Sequence, residues 1–301
     1  MIKPKVGIVG YGVVGRSLHA LLGDSATVLD VNPTQAQVDA VNACAAAFVC
    51  VPTPMSPSGQ CDTSIVEACV QWLRTPLIVI RSTVAPGTTD RLVTQTGKRI
   101  VFQPEYLGET TAHPMSDIRS RTFIVLGGKR ETTSNVADIY NCFLHSEMHY
   151  CFCSALAAEL AKYMENSFLA AKVTFCNEFF GIAQALGVDY NELREVWLAD
   201  PRIGRDHTFV YPDNRGFSGK CLPKDVSAII ASSRQAGYSP RLLEAIMEIN
   251  RQYRSNDPSY DPNRLALADI AAGGQIARAV SAKSDLQHGV RVDPPGPAPA
   301  A

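Results

Sequence analysis

From residue 6 to about residue 153 the chain repeats one kind of segment: VGIVG, ATVLD, AAFVCV, LIVIRS, RIVFQP, TFIVLGG and MHYCFC are short, rich in β-branched residues and apolar almost throughout. A strand with one wet face alternates apolar and polar residues. Runs without that alternation need cover on both faces, which is the condition of parallel strands in an α/β sheet. Stretches such as TSIVEACVQWL between the runs have the pattern of crossover helices. A doubly wound parallel sheet is therefore expected over residues 1–153.

After Ser154 the pattern changes. ALAAELAKYMENSFLAAKVTFCNEFFGIAQALG contains no proline and stops at Gly187, which predicts one long helix. Asp189 with Glu192 has the spacing of a capping box for a next helix running to about Leu198, before Asp200-Pro201 ends it. Ser239-Pro240 predicts another, with Leu242, Ile246 and Ile249 on its apolar side. Residues 154–254 thus read as a helical central domain, and 255–301, ending in DPPGPAPAA, as a weakly ordered tail with a short helix around Leu265 to Val280.

Directly behind the first apolar run, Gly10, Gly12 and Gly15 form G-x-G-x-x-G at the mouth of a helix, with Tyr11, Val13 and Val14 between them. The first glycine allows the tight turn, the second a close approach of backbone to a pyrophosphate, and the third close packing of helix on strand. The second run ends at Asp30, where a carboxylate accepts hydrogen bonds from adenosine ribose hydroxyls, and VNPTQ after it offers no arginine for a 2′-phosphate. The sheet is accordingly read as Rossmann-like, with NAD as its cofactor. Ligands bind such sheets outside the carboxyl ends of the strands, which adds Val51, Pro52, Thr53, Ser82 and Thr83 to the cofactor crevice.

The remaining composition narrows the partners. A formal charge of −1 gives no cationic footprint for nucleic acid or an anionic membrane surface. Lys3, Pro4 and Lys5 interrupt the N-terminus, and no run approaches the ~18 apolar residues of a spanning helix. A cytoplasmic protein acting on small molecules is expected. The nine cysteines lie mostly in apolar runs, where a thiol behaves as a small hydrophobe. Cys142, His145, His149, Cys151 and Cys153 crowd together, but a strand through MHYCFC is expected to scatter such ligands, and no metal is expected.

One cysteine stands apart. Cys221 sits in the polar, glycine-rich loop GFSGKCLPKD, where Lys220 and Lys224 favour the nucleophilic thiolate and Asp225 is suited to positioning a water or proton acceptor. Lys162 and Asn166, four residues apart, project from one side of the long helix and suit the stabilisation of negative charge on oxygen, although such pairs also occur on solvated faces. A thiol can add to an aldehyde and give, after hydride loss, a thioester that hydrolyses to an acid.

GIVGYGVVG, FVCVPTP, RSTVAPGTT, QPEYLGE, AELAKYMENSFLAAKVTFCNE, LADPRIG and GFSGKCLPKD, in this order over residues 5 to about 254, resemble the UDP-glucose/GDP-mannose dehydrogenase family. The resemblance implies NAD-dependent oxidation of the C6 alcohol of a nucleotide sugar, most readily a UDP-sugar, to a carboxylate in two hydride transfers. It implies Cys221 as nucleophile, Asp225 in water handling or thiol activation, Lys162 and Asn166 at the alkoxide and oxyanion, and Glu109 and Thr83 beside the base or hydrolytic water. Glu105, Tyr106, Leu107, Gly216 and Lys224 would line the substrate side. Arg202 would reach it across a dimer interface, and a homodimer through residues 154–254 is implied. Gly108 and Lys220 depart from the family's usual residues, and the chain is expected to lack the family's second Rossmann-like, nucleotide-gripping domain. Two other readings stand beside this one: a two-electron β-hydroxyacid type dehydrogenase, which gives Cys221 no role, and a non-catalytic NAD-binding relative.

Overall fold

The computed structural model describes residues 3–107 and 117–255. Its first part alternates strands and helices: β1 (Val6–Val9), α1 (Val13–Leu22), β2 (Ala26–Leu29), α2 (Gln35–Asn42), β3 (Ala46–Val49), α3 (Ser64–Trp72), β4 (Ile78–Ile80), α4 (Thr88–Thr96), β5 (Ile100–Phe102), β6 (Phe123–Gly127), α5 (Arg130–Asn141) and β7 (His149–Cys153). Each apolar run became a strand of one seven-stranded sheet in the order β2-β1-β3-β4-β5-β6-β7.

Alternate residues of each strand serve opposite faces. Val9, Val49, Ile78, Ile80 and Phe102 pack with residues of α2, α3 and α4, whereas Ile8, Phe48, Val79 and Val101 pack with residues of α1 and α5. Burying each such side chain contributes about 1.5–3 kcal/mol relative to exposure, so the two layers stabilise the sheet that carries the site on its carboxyl edge.

The sheet is parallel except at one pair: β5 meets β6 antiparallel through Phe102 and Gly127, and β6 then pairs parallel with β7. A parallel neighbour needs a crossover over one face of the sheet. The described part of the β5–β6 connection supplies only a single turn of 3₁₀ helix at Ile118–Ser120, whereas α5 does cross from β6 to β7. The scatter expected on β7 is corrected: His149, Cys151 and Cys153 are two apart and share a face. Among the described residues no group of His, Cys, Asp and Glu gathers around a metal-sized space.

The second part is helical: α6 (Ala155–Leu186), α7 (Tyr190–Trp197), α8 (Leu222–Gln235) and α9 (Arg241–Arg254). The hydroxyl of Ser154 accepts the Ala157 N–H at the start of α6, and Gly187 ends it in the left-handed conformation. Asp189 caps α7 through the Asn191 N–H, so the expected capping box forms only in part. On α9 the buried face runs through Ile246, Asn250 and Arg254, and Leu242 points outward at 71 % exposure. The helix is rotated by one residue from the expected phase because Leu243 and Met247, rather than Leu242 and Ile249, pack with Ile246. No described helix is long and apolar enough to cross a membrane. The tail and its expected helix, and Gly108 and Glu109, lie outside the described residues.

Candidate active site

The glycine turn follows β1 at the point where the strand order reverses, between β1 and β3. Gly10 adopts φ 94°, and a Cβ there would lie 2.6 Å from the Cys50 carbonyl oxygen; a Cβ on Gly15 would overlap the Gly10 carbonyl. Gly12, by contrast, borders open space and gives α1 no side-chain cap, so the first-turn amides, including those of Val13 and Val14, suit an anion. Asp30 stands at its rim, accepting the Tyr11 N–H at 3.3 Å. The Tyr11 hydroxyl is 2.5 Å from Nδ1 of His19, which braces the turn against α1. These residues fit the phosphates and adenosine ribose of a dinucleotide.

Across the reversal, the loops after β3 and β4 are stitched together. The buried Ser82 hydroxyl donates to the Val51 carbonyl at 2.6 Å, and Thr53 is buried nearby, after Pro52. The Thr83 carbonyl accepts from the Cys61 thiol at 3.4 Å. Burial pushes the Cys61 thiol up, and Lys224, Thr53, Asp225 and Tyr163 are the other groups acting on it. Cys61 therefore sits where the sheet's crevice meets α6 and α8. Nothing in the sequence singled it out, since it lies in an ordinary turn, SGQCD.

On the helical side, four expected residues form one hydrogen-bonded row. Lys162 Nζ donates to Asn166 Oδ1 at 3.2 Å, Asn166 Nδ2 donates to Asp225 Oδ2 at 2.5 Å, and Lys224 Nζ donates to Asp225 Oδ1 at 2.6 Å. Lys162 also meets Glu165 Oε2 at 3.1 Å and lies 5.1 Å from the centre of the Tyr106 ring. Lys162, Asn166 and Asp225 are all buried, so the reading of a solvated helix face does not apply. Burial works against the Lys224 ammonium, but Asp225, Cys61 and Cys221 outweigh it and hold its pKa above the ordinary lysine value.

Cys221 is exposed and occupies the N-cap position of α8, a helix missed in the sequence. Pro223 in the first turn, Asp225 beside it and the apolar spacing of Val226 and Ile230 were its signals. The Asp225 N–H donates to the Cys221 carbonyl at 2.9 Å, so thiol and carboxylate lie one helical turn apart. Glu159, also missed, is one turn of α6 before Lys162. Its carboxylate accepts the N–H groups of Gly87 and Thr89 at 2.6 and 2.9 Å and ties α6 to the start of α4.

The other expected residues fall elsewhere. Glu105 is locked inside: Arg81 and Arg121 both donate to its carboxylate, as do the Tyr106 and Leu107 N–H groups at 2.7 Å. This carboxylate anchors the start of the loop. Arg202 pairs with Asp200 and is 85 % exposed, outside the hydrogen-bonded row. Gly216 lies in the bend before Cys221 with φ 77°.

Comparison with known proteins fits this geometry. Residues 13–144 match the NAD binding domain of the UDP-glucose/GDP-mannose dehydrogenase family, and residues 156–252 match its central domain. UDP-glucose 6-dehydrogenase AglM of Haloferax volcanii is 34% identical over 227 residues, 68% of this chain and 52% of that protein. A UDP-glucose 6-dehydrogenase of Pseudomonas aeruginosa is 29% identical over 254 residues, 79% of this chain and 55% of that one. The chain spans about half the length of these curated relatives. The solved structure of a UDP-glucose dehydrogenase from Pyrobaculum islandicum superposes with a TM-score of 0.71 at 27% identity, covering 83% of this chain and 68% of that one. The cofactor is NAD. With two successive domains matched in order, the chain belongs to the UDP-glucose/GDP-mannose dehydrogenase family.

Proposed function

We propose that this protein oxidises the C6 alcohol of a nucleotide sugar, a UDP-sugar foremost, to the carboxylate. Residues 1–153 serve as the cofactor domain and 154–254 as the catalytic and dimerising one. The observation that carries the reading is the row Lys162, Asn166, Asp225 and Lys224, the first three buried, set one helical turn from the exposed Cys221. When bound, NAD accepts a hydride from the sugar carbon in each of two oxidations.

The chain's own groups account for the steps between. The Lys162 ammonium has three N–H donors, of which Asn166 and Glu165 take two, leaving the third for the substrate oxygen as its proton passes to the water assigned to Thr83 and Glu109. The Cys221 thiolate then adds to the aldehyde carbon, forming a C–S bond, with the resulting alkoxide facing Lys162 and Asn166. Loss of the remaining C–H as hydride leaves a thioester. A water oriented by Asp225 gives a proton to that carboxylate as it adds to the carbonyl, the C–S bond breaks, and the thiolate leaves with the acid formed. Thr83 and Glu109 are assigned to the same water. Tyr106, Leu107, Gly216, Lys224 and Arg202 are assigned to the substrate, with Glu105 supporting their loop from beneath. A nucleophilic thiol needs a compartment that keeps it reduced, which supports the cytoplasm as the place of action.

Incubation with NAD and a panel of UDP- and GDP-sugars tests the reading. Two NADH per acid are expected. One NADH with an aldehyde, ketone or decarboxylated product favours the two-electron β-hydroxyacid type, and NAD binding with no product from any sugar favours the non-catalytic one.

The homodimer is proposed on the outward apolar stripe of α6, including Met164, Phe168, Phe175 and Phe179. Equilibrium sedimentation is expected to give twice the chain mass, and a single-chain mass at micromolar concentration counts against it.

A further inference from the structure

The connection from Leu198 to Cys221 contains no helix or strand, yet it delivers the thiol. A mobile loop would leave the sulfur without fixed geometry. Three contacts immediately before it prevent this. The Phe217 N–H donates to Asn250 Oδ1 at 2.7 Å, and Asn250 Nδ2 donates back to the Phe217 carbonyl at 3.0 Å. One side-chain amide thus satisfies both peptide groups of one residue, as a neighbouring strand would. From the other side, the Gly216 N–H donates to Asn177 Oδ1 at 3.1 Å. Asn250 belongs to α9 and Asn177 to α6, so two helices grip adjacent peptides.

The grip is buried and fitted. Asn250 is fully buried, and the Phe217 ring packs among Ala170, Val226, Ile230 and Ile246. Gly216 brings its backbone against the amide with φ 77°, and a Cβ there would overlap Asn250 Oδ1. Only Ser218, Gly219 and Lys220 separate Phe217 from Cys221. Beyond the thiol, Asn166 fixes Asp225 and with it the first turn of α8. The backbone is thus held on both sides of Cys221 along the chain.

We propose that Asn250, seconded by Asn177, is a positioning residue for the Cys221 thiol, and that the amide clamp on residues 216 and 217 sets the direction in which the sulfur projects. The consequence for turnover rests on the function proposed above; the consequence for thiol reactivity does not.

The test is the rate of iodoacetamide alkylation at Cys221 in the folded, full chain, followed by the mass of the peptide containing it. Asn250→Asp preserves shape and the acceptor for the Phe217 N–H, but sets an oxygen against the Phe217 carbonyl. It is expected to slow alkylation about tenfold, the equivalent of one lost hydrogen bond, and to lower kcat with the KM for NAD unchanged. Simple loosening of the fold would speed alkylation instead. Asn177→Asp keeps its acceptor and is expected to match wild type, whereas Asn177→Leu slows alkylation, which carries the test if Asn250→Asp does not fold. Alkylation unchanged or faster in the folded Asn250→Asp and Asn177→Leu proteins overturns the proposal. Should Cys221→Ser retain full turnover, the catalytic reading falls, and slowed alkylation in the clamp variants still upholds the clamp.

Discussion

Cys221→Ser is expected to reduce acid formation by about a thousandfold or more, the scale seen when a covalent nucleophile is removed, while NAD affinity stays within about twofold of wild type, since no glycine-turn contact changes. The sulfur is exposed at the N-cap of α8 and sits near the Lys224 ammonium. A serine hydroxyl in its place remains protonated and is a far weaker nucleophile. The first oxidation, from alcohol to aldehyde, uses Lys162 and Asn166 and needs no C–S bond. The variant should therefore release aldehyde and about one NADH for each sugar consumed, and product analysis after exhaustive reaction checks it. Acid production at the wild-type rate would remove the thiol from the chemistry.

Glu105→Ala is expected to destabilise the protein by about 3–5 kcal/mol, the cost of removing one partner from a buried ionic cluster. Arg81 and Arg121 have side-chain exposures of 0% and 2%, and both donate to the one Glu105 carboxylate. Without it, two guanidiniums remain buried with no counter-charge between them. Chemical denaturation at neutral pH measures the effect, and a loss under about 1 kcal/mol, the scale of an exposed ion pair, would show that the cluster is solvated. The pH dependence has a definite sign. Burial acts to raise the Glu105 pKa, but Arg81 and Arg121 outweigh it and hold the carboxylate below its usual range. A lowered folded-state value contributes stability that is fully present above the unfolded carboxylate pKa of about 4.3 and disappears as pH falls through the folded value. Glu105→Ala should flatten that acid limb of the stability curve.

What the sequence disclosed, and what it hid, follows from the range of each interaction. The strands were legible because burial on both faces excludes polar residues from them, and α6 because Gly187 ends a long proline-free run. Strand direction was not, since Phe123–Gly127 is equally apolar whichever way it runs. The paired leucines at 242 and 243 left the phase of α9 ambiguous by one residue, and packing against Ile246 resolved it. The spacing of Lys162 and Asn166 placed them on one face, but only Asp225 on another helix shows that the face is buried. The ion pairs of Glu105 were hidden because its two arginines are far away in sequence, at positions 81 and 121. The same distance in sequence hid the Asn250 grip on Phe217 and the place of Cys61 beneath Thr83.

The central claim is a covalent bond between substrate carbon and the sulfur of residue 221, and the mass of the peptide carrying that residue, taken from acid-quenched protein during turnover, tests it most directly. Asp225→Asn should slow hydrolysis and let the intermediate accumulate. That peptide is expected to be heavier by one nucleotide-sugar acyl group, with the extra mass lost on treatment with hydroxylamine. An unmodified peptide throughout a reaction in which NADH accumulates at two per acid would contradict it.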